Sequence, residues 1–302
     1  FLEAYSHLGN ILKDLGKSQD AELSYRKAIE LNPNYANVHS NLGTILKDLG
    51  KLKEAEKSFR KTIELNPDFA EAHYNLGNIL KDLGQSTQSQ LSFRKSIELK
   101  PDLAEAHYNL GNTLKDLGKL KEAKKSLRKA IEIKPNLVVA HTNLGNIFRD
   151  LFELSQAEKS FRKAFELSPN DAVTNLNLGR ILLDLSDLQE AELLFRKAIK
   201  LEPKFVEAHI NLSEVLLKGK KYEEGWNRYE WRRESNKGTN LKQLREKMNR
   251  LKPEWEPKNN GTVLLWPEQG LGDIVLFSSL IPELVEKADQ LIVKTDKRLI
   301  PL

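Results

Sequence analysis

Cysteine is absent from this 302-residue chain. Disulfides and thiolate metal sites are therefore excluded, and a reducing compartment is the default expectation. Aromatic residues are few, at 7%, and charged residues reach 30%, a balance suited to an elongated helical protein with much surface. No apolar run approaches the roughly 18 residues needed to span a bilayer. No signal peptide is visible, and a cytoplasmic location is expected. Residue 1 is Phe and a repeat is already running at Leu2. The chain is accordingly expected to be part of a longer protein, with any upstream targeting segment beyond it.

The formal net charge is +5. Between Arg232 and Lys258 there are nine Lys/Arg against four Asp/Glu, so that stretch holds the whole surplus. A basic linker over 234–258 is the plain reading. Nucleic acid is a weak rival partner, because the remainder is neutral.

What the chain has in abundance is repetition. Leu8-Gly9, Leu42-Gly43, Leu76-Gly77, Leu110-Gly111, Leu144-Gly145 and Leu178-Gly179 recur every 34 residues, and Leu212-Ser213 continues the register. Pro33, Pro67, Pro101, Pro135, Pro169 and Pro203 keep the same step. A period of this length means stacked helical units rather than one globular core. In each unit the apolar spacing predicts one helix running up to "LKDLG" and a second ending at "IELNP". Gly16, Gly50, Gly84 and Gly118 stand where the first helix must stop in a left-handed residue. Phe152 and Ser186 replace that glycine, and the turn is expected to differ there. Gly9 and its equivalents lie inside the first helix at a cost of about 1 kcal/mol against alanine, which implies close helix packing. Ala21, Ala55, Ala123, Ala157 and Ala191 allow that approach. Tyr25, Phe59, Phe93, Phe161 and Phe195 are expected to fill the space between units.

These positions closely resemble the tetratricopeptide repeat. The resemblance covers 2–205 as six units and 206–233 as a degenerate seventh, with Gly225 and Arg232 at alanine positions. It implies an all-α, right-handed superhelical solenoid of helix-turn-helix units whose first helices line a groove for extended peptides. On that face Asn41, Asn75, Asn109, Asn143, Asn177 and Asn211 form one row. Asn10, Asn78, Asn112 and Asn146 form a second, three residues on. Amides can donate and accept, so the rows suit a peptide backbone of any sequence. They resemble the asparagine ladder of eukaryotic O-linked N-acetylglucosamine transferases. A solvated polar face copied by duplication is the other reading. Lys47, Lys81, Lys115 and Arg149 run beside the rows with Asp48, Asp82, Asp116 and Asp150. His39, His73, His107, His141 and His209 recur too far apart to share a metal ion. Packing is their expected role, and no metal or cofactor is expected.

The last stretch differs. Val263–Trp266 reads as a strand, Ile274–Val285 as a helix and Gln290–Lys294 as a second strand, a short α/β Rossmann-like fragment over 259–302. "WPEQGLGD" places Gly270, Gly272 and Asp273 at the strand-to-helix turn, where backbone N–H groups approach an anion. A tight turn without a ligand is the alternative. "PEWEP" and "GTVLLWPEQGLGDIVLFSSLIPEL" resemble the start of the glycosyltransferase-like domain that follows tetratricopeptide arrays, and more distantly lipopolysaccharide heptosyltransferases. The resemblance implies that Asp273 is a catalytic base, and that a nucleotide sugar binds only in a complete parent domain. The expected function is a superhelix that binds a peptide or protein and recruits it to a glycosyltransferase-like protein. A scaffold without catalysis is the alternative.

Overall fold

The structure, a computed structural model, describes residues 1–234, 262–265, 286 and 290–293. The first helices of the units are α1 (Leu2–Asp14), α3 (Ala36–Asp48), α5 (Ala70–Asp82), α7 (Ala104–Asp116), α9 (Val138–Asp150), α11 (Ala172–Asp184) and α13 (Val206–Lys218). The second helices are α2 (Ser18–Leu31), α4 (Leu52–Leu65), α6 (Ser86–Leu99), α8 (Leu120–Ile133), α10 (Leu154–Leu167), α12 (Leu188–Leu201) and α14 (Tyr222–Tyr229). We call these two sets A and B. Two compact units result, 1–225 and 226–302.

In units one to six each A helix packs on the B helix of its own unit and on its neighbours in the stack. The glycine inside the A helix makes the first contact possible. A Cβ on Gly77 would lie 2.7 Å from the Phe93 ring, and one on Gly9 would lie 2.5 Å from Tyr25. The aromatic residues thus seat on the glycine of their own unit, within core clusters that run through several units. Burying these rings, each fully enclosed, removes enough apolar surface to offset the glycine's low helix propensity.

The turn from A to B helix is the same in all seven units. Gly16 N–H donates to Lys13 O at 2.9 Å and Lys17 N–H to Leu12 O at 2.8 Å. Phe152 N–H donates to Arg149 O at 2.9 Å and Glu153 N–H to Phe148 O at 2.8 Å. Phe152, Ser186 and Lys220 adopt φ of 58°, 67° and 60°, against 72–75° for the four glycines. The expected difference at Phe152 and Ser186 is therefore corrected: the paired carbonyls of the helix end impose the left-handed turn on a residue that disfavours it.

The core runs as two clusters, one from Ala21 to Leu80 and one from Phe93 to Leu216. They divide at α6. Ser89 and Ser96 there occupy the two positions that are alanine in α2, α8, α10 and α12. Ser89 Oγ donates to Gly77 O at 2.7 Å, whereas Ser96 Oγ, also fully buried, has no partner.

In the second unit, Trp226 and Tyr229 meet edge to face at 5.5 Å, and the Arg232 guanidinium lies 4.3 Å from the Tyr229 ring centroid. The strands β1 (Thr262–Leu265) and β2 (Gln290–Val293) pair in parallel, Thr262 opposite Gln290 and Leu265 opposite Val293. The first strand is thus one residue earlier than expected. The expected helix over 274–285 and the basic linker from 235 to 258 lie outside the described residues.

Candidate functional site

The asparagine rows stand on the exposed face of the A helices, half-buried in every unit. Their spacing follows from the fold: residues 31 apart face each other across a repeat boundary. Asn41 Nδ2 donates to Asn10 Oδ1 at 3.1 Å, Asn109 to Asn78 at 2.9 Å and Asn143 to Asn112 at 2.7 Å. The two rows are therefore linked, first row of one unit to second row of the unit before. Tyr74 and Tyr108 hydroxyls accept a further bond from Asn109 and Asn143, at 3.2 and 3.3 Å. Sequence reasoning missed these two tyrosines, although the recurring "AHYNLGN" carries them.

The linkage is interrupted at three of the first-row positions. Thr44 stands there in unit two and donates to Ser40 O instead, so Asn75 has no amide to meet. Arg180 takes the second-row position that corresponds to Asn211, whereas Asn146 still stands at the one for Asn177; neither Asn177 nor Asn211 makes a side-chain hydrogen bond among the described residues. Burial and the neighbouring Arg149 guanidinium hold Arg180 below the usual guanidinium value, since each disfavours its charge.

At the first repeat boundary the face forms a hollow of about 270 Å³ whose lining includes Glu3, Asn10, Asn41, Tyr35 and Phe69. Tyr25 replaces the usual phenylalanine beneath it, and its hydroxyl donates to Asn10 Oδ1 at 2.8 Å. Burial, with Asp14 nearby, pushes that phenol up to about 12, so it stays a donor.

Charges divide by face. On the B helices most are paired. Arg162 donates to Glu190 at 2.7 and 2.8 Å and to Glu158 at 2.8 Å. Arg196 treats Glu224 and Glu192 alike, and Lys51 and Lys221 reach back to Glu22 and Glu192. These carboxylates raise the pKa values of Arg162 and Arg196 by stabilising their charged forms. On the A helices, Lys47, Lys81, Lys115 and Arg149 have no ion-pair partner among the described residues.

The histidine row faces elsewhere. Nε2 of His39, His73, His107, His141 and His209 lies 2.8–2.9 Å from the carbonyl oxygens of Pro33, Pro67, Pro101, Pro135 and Pro203. In unit six Asn175 takes over, donating to Pro169 O at 2.9 Å. The row thus fastens each inter-unit turn to the next A helix. Among the described residues no three His, Asp or Glu side chains group to hold a metal ion, and no helix is long and apolar enough to cross a membrane. Gly270, Gly272 and Asp273 lie outside the described residues.

Sequence profiles described as "TPR repeat" match residues 9–50, 43–84 and 77–118. Profiles described as "Tetratricopeptide repeat" match 104–137, 142–205 and 176–225. No curated protein matches the chain. Among solved structures, one similar chain is YrrB, described as a TPR protein with an unusual peptide-binding site. It is 25% identical with a TM-score of 0.55, over 65% of this chain and 97% of that one. MamA is 27% identical with a TM-score of 0.52, over 53% and 94% of the two chains. PilF of Pseudomonas aeruginosa, 20% identical with a TM-score of 0.62 over 70% and 97%, shares the fold.

Proposed function

The chain belongs to the tetratricopeptide repeat family, and from that premise we propose that its A-helix face binds an extended segment of a partner polypeptide. One observation carries the reading. Once the rows are linked, Asn109 has both amide hydrogens engaged and keeps Oδ1 as an acceptor, while Asn78 has Oδ1 engaged and keeps Nδ2 as a donor. Acceptor and donor then alternate along the face, as the N–H and C=O groups of an extended backbone require. Asn75, Asn177 and Asn211 keep complete amides. Lys47, Lys81 and Lys115 add cations without an ion-pair partner among the described residues. The peptide-binding site of YrrB, a protein of the same fold at 25% identity, supports the assignment.

The test is selection of a binding peptide from a random library, followed by Asn75→Ala, Asn177→Ala and Asn211→Ala together. These amides make no internal side-chain bond, so affinity should fall about tenfold with the fold intact. Unchanged affinity would reduce the rows to a solvated face.

A second reading is that the array recruits its ligand to a glycosyltransferase-like domain beginning within 259–302. Its support is the parallel pairing of β1 and β2 at the places the sequence pattern assigns, since parallel neighbours require a long crossover between them. In that reading Gly270 and Gly272 shape an anion-binding turn, and Asp273 takes the proton of an acceptor hydroxyl. A nucleotide sugar enters only with a complete domain. Asp273→Asn in the full-length protein should keep stability and lose roughly 100-fold in turnover. Normal turnover would leave the scaffold reading in place.

A further inference from the structure

A second ladder runs along the B helices, and it has one gap. Arg26, Arg60, Arg94, Arg128, Arg162 and Arg196 recur at the repeat step. Each faces two acceptor positions, one four residues earlier on its own helix and one 28 residues later on the next unit. Arg26, Arg162 and Arg196 find carboxylates at both. Arg60 keeps Glu56 and meets Gln88 at 3.0 Å. Arg94 keeps Glu122 at 2.6 Å. Arg128 has neither, because Lys124 and Gln156 stand at its two positions. Its guanidinium instead lies 5.5 Å from the Phe148 ring centroid, with the Lys124 ammonium 5.3 Å from the same ring.

The gap makes α8 cationic. Lys121, Lys125 and Arg128 are exposed and have no ion-pair partner among the described residues. The helix's two acids are already engaged, Glu122 by Arg94 and Glu132 by Lys129. Beside these cations a cleft of about 370 Å³ lies between α6 and α8 over α7. Ile97 and Leu110 give it an apolar floor, and exposed Arg94, Lys125 and Lys129 stand at its rim.

We propose that this cleft and the adjoining surface of α8 dock an acidic segment of a partner polypeptide, on a different face from the asparagine rows. Carboxylates of the partner would occupy the acceptor positions that Lys124 and Gln156 leave vacant, and an apolar side chain would enter the cleft. A guanidinium with no internal carboxylate presents a fork for bidentate binding of an external one. The partner is a polypeptide rather than a nucleic acid because the cationic surface is confined to one helix. Glu98, Glu132 and Glu153 border it, so it offers no stripe for a phosphate backbone to follow.

A fluorescein-labelled oligoglutamate peptide with leucines at helical spacing is the probe, read by anisotropy on the whole chain. It should bind, and binding should weaken with salt. Lys124→Glu with Gln156→Glu closes the gap as Glu158 and Glu190 do around Arg162. The new carboxylates at Arg128 offset the loss of the Lys124–Glu153 pair, so the double variant should stay folded, and its affinity for the probe should fall at least about tenfold. Lys125→Glu alone should act in the same direction, and Asn75→Ala should leave probe binding unchanged. Undiminished binding to the closed-gap variant would overturn the proposal. So would tighter binding of single-stranded DNA or of phosphatidylserine vesicles through the same residues.

Discussion

Asn112 Oδ1 accepts a hydrogen bond from Asn143 Nδ2 at 2.7 Å across a repeat boundary. Asn75 occupies the same position as Asn143 two units earlier in the array and makes no such bond, because Thr44 stands opposite. Equivalent residues are thus inequivalent in energy. Asn143→Ala loses the bonds to Asn112 and Tyr108 and leaves both partners half-buried, so it should destabilise by about 1 kcal/mol. Asn75→Ala loses none and gains helix propensity, so it should be neutral or stabilising by about 0.5 kcal/mol. Chemical denaturation of the two variants checks the contrast. Equal effects would mean the cross-repeat bond contributes nothing.

Phe152 holds φ at 58° with its side chain 88% exposed. A left-handed conformation costs a non-glycine residue about 1 kcal/mol, and little packing offsets it here. Phe152→Gly should therefore raise stability by about 1 kcal/mol, measured as a shift in the unfolding midpoint. Gly118→Ala, at the same turn one unit earlier, should lower it by a similar amount.

Ser96 is fully buried with an unpartnered hydroxyl where four other units have alanine. Ser96→Ala should stabilise by about 1 kcal/mol, since a desolvated hydroxyl is removed at no cost in volume. Ser89→Ala should not, because it discards the bond to Gly77 O. Hydrogen exchange in α5 and α6 would report both effects, since the core divides at α6.

Acid should loosen the B-helix face. Glu190 has a lowered pKa because Arg162 hydrogen-bonds its charged form, against some desolvation. Burial raises those of Glu22 and Glu192, but bonds from Lys51 and Arg26, and from Lys221 and Arg196, outweigh it and leave both lowered. A carboxylate with a depressed folded pKa stabilises the fold above its unfolded value, and that contribution is lost as pH falls through the folded pKa. The melting temperature should therefore drop as pH falls below about 4.5. Glu22→Gln with Glu192→Gln should flatten that dependence. A slope identical to the parent's would assign acid sensitivity to other groups.

Much of this protein could be read from its letters alone. The 34-residue step, the two helices of each unit, the packing role of Gly77 and the turn at Gly118 were all legible, because each depends on residues close in sequence. A helix ends where its own carbonyls find partners, and a glycine is buried where a side chain one helix away has no other space. What only the tertiary structure decided involves residues about 30 apart on neighbouring helices. The rows of Asn78 and Asn109 read as two separate rows on one polar face, yet stacking joins them and divides their donors from their acceptors. The gap at Arg128 is written in Lys124 and Gln156, but it becomes a gap only when the offset between units sets which side chains meet. That offset is a sum of many small packing contacts, and no single residue type encodes it.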